Sequence, residues 1–98
     1  MAGKQIIWSK RAIYDKFDIL DYWIYRTKSK SYSTKLNQLF NNALLQVSSY
    51  PYSGKQTELD NIRIKIVRSY LIFYKVNPEG IYVVTIWDSR RDDEKLRL

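Results

Sequence analysis

The 98-residue chain carries 17 lysines and arginines against 10 aspartates and glutamates, has no histidine or cysteine, and has a net charge of +7. Without imidazole or thiol groups it cannot use Ser-His-Asp or Cys-His catalysis, a Cys/His zinc site or a disulfide. The length predicts one globular domain over residues 1–98, large enough to fold without covalent or metal staples. No signal peptide or membrane-spanning run is recognisable, so we expect a cytoplasmic location and no membrane partner.

The N-terminal third of the chain predicts a short strand followed by an amphipathic helix. Residues 4–8, KQIIW, are β-rich, and Ser9 is suited to cap the helix that follows. Apolar side chains then recur at helical spacings of four, three and four, at Ile13, Phe17, Leu20 and Ile24. This stripe predicts a helix of about five turns.

A second helix is predicted after the polar stretch 27–33, which offers another serine cap. Its apolar stripe consists of Tyr32, Leu36, Leu39, Phe40, Ala43, Leu44 and Val47. Because the connection is short, the two helices should pack antiparallel. Residues 48–61 contain Pro51 and Gly54 and should form a loop.

The C-terminal third changes from helical to strand periodicity. Residues 62–67, 70–76 and 81–87 predict three strands joined by turns at 68–69 and 77–80. In the first strand, Ile62, Ile64 and Ile66 alternate with cations, and we expect the isoleucines to face the core and the cations to face solvent. The whole chain therefore predicts an α+β domain of order β-α-α-β-β-β, in which the N-terminal strand joins the edge of an antiparallel meander and the helical pair covers one face.

The side chains available for chemistry are mainly cations and phenols. The candidates are Lys55, Arg63, Lys65, Arg68, Tyr70, Tyr74, Arg90 and Arg91. Such groups can hold a phosphate, stabilise a pentavalent phosphorane and, with a lowered pKa, transfer a proton. The simpler alternative is that Arg63 and Lys65 form the wet face of a strand and that the tyrosines pack in the core.

A metal or cofactor site is not expected. No glycine-rich phosphate-binding loop is present. The acidic side chains Asp88, Asp92, Asp93 and Glu94 are interleaved with cations, which is more typical of a solvated polar segment than of a metal site.

The order of these segments resembles the RelE/ParE superfamily of type II toxin–antitoxin toxins over essentially the whole chain. The matching segments are IIWSKRA, the two helices, YPYSGK, IRIKIVRSYLIFYKV and IYVVTIWDSRRDDEKL. The resemblance implies a growth-inhibiting toxin of a plasmid-stabilisation system.

Two mechanisms remain open within this resemblance. RelE-like members are metal-independent endonucleases that cut mRNA on the ribosome, and Arg63, Lys65 and Arg90 fall where their catalytic cations lie, with Tyr74 or Lys55 as proton carrier. Those nucleases usually carry an arginine after the central-strand tyrosine and a tyrosine or histidine near the C-terminus, where this chain has Leu71 and Leu96.

ParE-like members poison DNA gyrase without cutting nucleic acid. The ending RRDDEKL, with Arg91, Asp92 and Leu96, is similar to the pattern that closes ParE-like chains. This favours a gyrase inhibitor in which Lys55, Arg68 and Arg91 contact the target. A non-toxic basic scaffold is the third alternative.

The resemblance implies a cognate antitoxin as partner. Because the chain is basic, we expect an acidic or amphipathic antitoxin segment that lies against the helical pair or the sheet. Its anionic groups should lie near Arg63, Lys65, Arg90 and Arg91.

Overall fold

The computed structural model describes residues 3–59 and 61–91 as an α+β fold. The elements are β1 (Ile6–Trp8), α1 (Lys10–Thr27), α2 (Ser31–Ser49), β2 (Lys55–Gln56), β3 (Ile62–Val67), β4 (Tyr70–Asn77) and β5 (Gly80–Asp88). The predicted order is confirmed, with one addition. Strand β2 lies in the segment predicted to be a loop, and its two residues are too few to produce a detectable alternation.

The five strands form one sheet in the order β1-β5-β4-β3-β2. Strands β3, β4 and β5 form the predicted antiparallel meander, and β1 pairs in parallel with β5 at its edge. Strand β2 pairs antiparallel with β3 at the opposite edge. Strand β4 is therefore the centre of the sheet.

The two helices differ in how their N-terminal ends are capped. The Ser9 hydroxyl oxygen accepts a hydrogen bond from Ala12 N at 2.9 Å, as the predicted cap requires. At α2 the capping position is Lys30, which forms no side-chain cap bond, but Ser29 of the predicted polar stretch accepts a hydrogen bond from Ser31 N at 3.1 Å. Within the described ranges, neither helix is long and apolar enough to cross a membrane.

Helix α2 packs its predicted apolar stripe into the core, whereas α1 does so with only part of its predicted stripe. Leu36 and Phe40 of α2 are fully buried. On α1 the side chains packed in the core are Ala12, Ile19 and Trp23, together with Leu20 from the predicted stripe. Ile13 and Phe17 of that stripe are 43% and 54% exposed. The N-terminal half of the stripe is therefore not the buried face, because α1 carries apolar side chains around more than half of its circumference.

The two faces of β3 are also opposite to the prediction. Arg63 lies opposite Tyr74 and Lys65 lies opposite Ile72, so both cations are on the face that the helices cover. The isoleucines share the other face with Phe73, Leu71, Trp87 and Val84, where Ile62 is buried and Ile66 is 61% exposed. Two-residue alternation defines two faces of a strand but does not say which one the helices cover.

The residue that ends α1, Lys28, has a backbone conformation that is strained for a non-glycine residue. Lys28 follows the helix with φ 58°, a left-handed conformation in which its N–H bonds to Ile24 O. Glycine adopts this conformation without the cost of a Cβ. We therefore expect Lys28→Gly to raise the free energy of unfolding by about 0.5–1 kcal/mol in urea denaturation.

Arg26→Gly, inside the last turn of the same helix, is the matched control and should lower the free energy of unfolding by about 1 kcal/mol. A loss of stability in both variants would contradict the strain at Lys28.

Candidate functional site

The buried hydroxyl of Tyr74 connects the central strand to the loop before β2. Tyr74 is fully buried and packs with Val47 of α2 and Ile81 of β5. Its hydroxyl donates to Pro51 O at 2.9 Å and accepts from Gly54 N at 3.0 Å. A side chain on Gly54 would collide with this hydroxyl, so the glycine is required by a close approach.

Arg63 holds the same loop from the neighbouring strand. Its Nη1 donates to Gly54 O at 2.9 Å and to Tyr52 O at 3.2 Å. The guanidinium also stacks on the Tyr52 ring, 5.1 Å from the ring centroid. Arg63 is thus a structural contact of the loop in this structure, and Lys55 follows the loop as an exposed residue of β2.

Burial sets the protonation state of Tyr74. Desolvation is the main influence and raises the pKa of the phenol above its ordinary value of 10.0, while the hydrogen bond with Gly54 and the charge of Arg63 act in the opposite direction. A proton carrier at neutral pH would need a lowered pKa. In this environment the hydroxyl is suited to a fixed hydrogen bond.

Lys65 of β3 and Arg68 of the turn that follows it lie close together, next to α2. Both line a cavity of about 290 Å³ against α2, where Leu39 and Ala43 provide apolar walls. Arg68 is exposed, in the turn between β3 and β4, and has φ 57°. Two candidate cations therefore share one shallow surface.

Arg90 and Arg91 lie beyond the end of β5, and both are exposed. Arg90 forms two side-chain hydrogen bonds with Asp88, at 2.8 and 3.0 Å. These bonds lower the pKa of the Asp88 carboxyl and raise that of the guanidinium. The Arg91 guanidinium lies over the Trp87 ring, 5.1 Å from the centroid.

A cleft of about 420 Å³ opens between α1 and the end of β5. Arg90 and Arg91 line it together with the candidate Tyr70 and with side chains that were not among the candidates, namely Asp15, Asp18, Ile19, Tyr22, Ile86 and Asp88. The cleft therefore combines charged groups of both signs with phenols and aliphatic side chains.

The structure places Arg63 and Lys65 two residues apart on one face of β3, with Tyr74 opposite Arg63, whereas the third candidate catalytic cation, Arg90, lies apart from them. Arg63 lies at the level of Tyr74, whereas Asp88, which holds Arg90, pairs with Tyr70. Four residues of β4 separate these levels, a distance of roughly 13 Å along the strand. Leu71 lies on the opposite face from Arg63, among Ile64, Phe73 and Trp87, so it does not occupy a basic concavity.

The sequence did not predict two polar contacts in this region, because each joins residues that are far apart along the chain. Asp15 of α1 accepts hydrogen bonds from Thr85 Oγ1 and, at 3.3 Å, from Ile86 N. Trp23 Nε1 donates to the Tyr70 hydroxyl at 2.8 Å, and burial raises the pKa of that phenol. The Asp15 contact lies next to an irregularity in the pairing of β4 with β5, which no local sequence pattern indicates.

No metal centre is found among the described residues, where no cluster of three or more acidic side chains could hold an ion. The acidic residues Asp60, Asp92, Asp93 and Glu94 lie outside the described ranges, as does Leu96.

The comparisons with known proteins agree with this architecture. The model of the family described as "ParE toxin of type II toxin-antitoxin system, parDE" matches residues 6–93. The chain belongs to the ParE toxin family. A solved chain of the chromosomal ParDE toxin–antitoxin system from P. aeruginosa is similar in fold, with a TM-score of 0.73 and 15% identity over 85% of this chain and 92% of that one. Among curated proteins, none matches this sequence.

Membership of the ParE toxin family implies a cognate antitoxin as partner. It confirms the predicted RelE/ParE resemblance and the role of a toxin in a type II toxin–antitoxin system.

The loop contacts of this ParE-family toxin can be tested by removing one atom. Tyr74→Phe leaves Gly54 N and Pro51 O without their partner, so we expect the free energy of unfolding to fall by about 1–3 kcal/mol. Tyr50→Phe is the matched control, because Tyr50 is 72% exposed, and should change stability by less than about 0.5 kcal/mol. Equal stability of the two variants in urea denaturation would contradict the bridging role of Tyr74.

The raised pKa of Tyr74 also predicts a pH dependence. The folded state retains the phenolic proton above pH 10.0, where the unfolded state begins to lose it. This contribution to stability is therefore complete below that pH and is lost as pH rises through the folded pKa. The decline of stability in alkali should be shallower in Tyr74→Phe than in the unchanged protein, and parallel declines would exclude Tyr74 as a cause.

Proposed function

We propose that this ParE-family toxin inhibits growth by binding DNA gyrase and does not cleave mRNA. The observations that carry the proposal are the structural contacts of Arg63 and Tyr74 and the separate placement of Arg90. Arg63 and Tyr74 hold the loop 51–54, while Arg90 is paired with Asp88 at the far end of β4. Phosphodiester cleavage needs cations and a proton carrier held around one phosphate, and this arrangement favours a binding mechanism.

The surface that we propose for the target is the cleft between α1 and the end of β5. Arg90 and Arg91 border it and are the first two residues of the segment RRDDEKL that resembles the ParE-like ending. The lining carries both signs of charge, with Asp15, Asp18 and Asp88 beside Arg90 and Arg91, so we propose that it recognises the target by local charge complementarity. Lys55 and Arg68 lie elsewhere on the molecule, and we propose that they add to the overall field.

The toxin and its antitoxin, encoded on a plasmid or a chromosome, would then together control growth of the host cell. The antitoxin would keep the toxin inactive, and loss of the antitoxin would release it.

The proposal is tested by two assays on the same purified protein. We expect inhibition of supercoiling by DNA gyrase on relaxed plasmid, and intact message after incubation with programmed ribosomes. Message cleavage without gyrase inhibition would contradict the proposal and support the RelE-like alternative. Absence of growth arrest on induction in a bacterial host would instead support the non-toxic scaffold.

The proposed surface is tested by charge reversal. Arg90→Glu combined with Arg91→Glu should raise the concentration needed for half-inhibition of gyrase by about tenfold. The matched control is Lys30→Glu combined with Lys35→Glu, which makes the same charge change at exposed positions in or before α2. Equal effects of the two pairs would show that only net charge matters.

A further inference from the structure

A surface between α2 and β3 carries two cations that no described acidic side chain compensates. Lys65 of β3 and Arg68 of the turn that follows it line a shallow cavity of about 290 Å³ against α2. The other residues of this lining are Leu39, Asn42, Ala43, Gln46, Ile66 and Val67, and we call the whole lining the α2–β3 surface. None of the salt bridges among the described residues involves Lys65 or Arg68.

The elements that build this surface contain no acidic residue. Helix α2, Ser31–Ser49, has no aspartate or glutamate, and residues 61–78, which include β3 and β4, have none. The carboxylate at the same end of the sheet as Arg68 is that of Asp88, and both of its oxygens accept hydrogen bonds from Arg90. The local field at the α2–β3 surface is therefore positive and suits an anionic partner.

The polar groups of the α2–β3 surface can all donate hydrogen bonds to phosphate oxygens. Lys65 and Arg68 supply an ammonium and a guanidinium group, and Asn42 and Gln46, which are exposed and one turn apart on α2, supply amide N–H groups. Donors of these kinds hold the backbone of DNA in protein–DNA interfaces. Lys65 and Arg68 are three residues apart, roughly 10 Å along the chain, which is a spacing for separate phosphates of a polymer.

The same lining favours double-stranded DNA over single-stranded nucleic acid. Single strands are held mainly by aromatic side chains that stack on the bases, and the described residues of the α2–β3 surface include no aromatic ring. Its amides project from a helix, and the major groove of B-form DNA admits a helix, whereas the deep, narrow groove of an RNA duplex does not.

The turn that carries Arg68 gives a separate indication that this side chain makes a contact. Arg68 has φ 57°, at a position of a two-residue hairpin turn where glycine or asparagine is preferred. The backbone thus gives no reason for an arginine here, whereas a contact of its guanidinium group does. The same turn is attached to the end of β5, where Ser89 N donates to Ser69 O at 2.8 Å.

We propose that the α2–β3 surface binds the phosphate backbone of double-stranded DNA. Lys65 and Arg68 contact separate phosphates, and Asn42 and Gln46 donate further hydrogen bonds. The proposal goes beyond the proposed function, which assigns only protein contacts to the toxin. It rests on that function in one respect, because with gyrase as the target the bound DNA is the segment on which gyrase acts.

The experiment measures binding of the full chain to a short, fluorescently labelled DNA duplex by anisotropy, without gyrase. Each cation that neutralises a phosphate contributes about 0.9 to the slope of log affinity against log salt. Lys65→Gln combined with Arg68→Asn should therefore lower that slope by about two and weaken binding at about 50 mM salt by tenfold or more. Asparagine suits the left-handed turn position, so this variant should keep the fold.

Two matched controls separate this surface from general attraction between DNA and a basic protein. Lys10→Gln combined with Arg26→Gln removes one lysine and one arginine from exposed positions of α1 and should weaken binding by less than about threefold. Asn42→Ala should weaken binding about threefold with an unchanged salt slope, because an amide releases no counterion. Asn41→Ala, at the neighbouring exposed position outside the surface, should leave binding unchanged.

Equal weakening by the two charge-removing pairs would overturn the proposal, and so would tighter binding of a single-stranded RNA than of the duplex. A polyglutamate peptide represents an acidic protein segment and should bind at least about tenfold more weakly than the duplex. Equal or tighter binding of the peptide would contradict DNA as the occupant. Because the titration contains no gyrase, its result is independent of the toxin's target.

Discussion

The hydrogen bonds of one buried phenol organise the region in which a catalytic site would be sought. Tyr74 lies on the central strand β4, packs between α2 and β5, and bonds through its hydroxyl to both ends of the loop 51–54. The position of that loop in turn fixes Arg63, whose guanidinium bonds to two carbonyl oxygens of the loop. Because a buried polar group without a partner costs more than a satisfied one contributes, these contacts are mutually dependent.

This dependence changes the interpretation of the cations. Arg63 and Lys65 alternate with isoleucines, which is typical of a strand with a wet face, yet the helices cover the side on which the cations lie. At the edge of that covered side, Arg63 bonds to the loop and Lys65 lines a cavity against α2. The other face is apolar around Phe73 and Trp87. The basic residues are consequently distributed among separate surfaces, which is why we propose a binding mechanism.

Much of the fold could be predicted from sequence because it depends on local patterns. The helical stripe of α2, the Ser9 cap and the strands after residue 61 are each encoded by neighbouring residues. Three features could not be predicted in this way. The covered face of β3, the rotation of α1 that exposes Phe17, and the bond from Asp15 to β5 all depend on how distant elements pack. The residue types of the candidate site could be identified from the sequence. The distance between Arg63 and Arg90, which lie near opposite ends of β4, could not.

Tyr74 and Arg63 hold the loop, and the central proposal is that they take no part in chemistry. It is tested most directly by inducing Tyr74→Phe in cells at a reduced temperature where the purified variant is fully folded by near-ultraviolet circular dichroism. The account predicts growth arrest equal to that caused by the unchanged toxin, because the phenolic proton is not used. A folded variant that no longer arrests growth would contradict it.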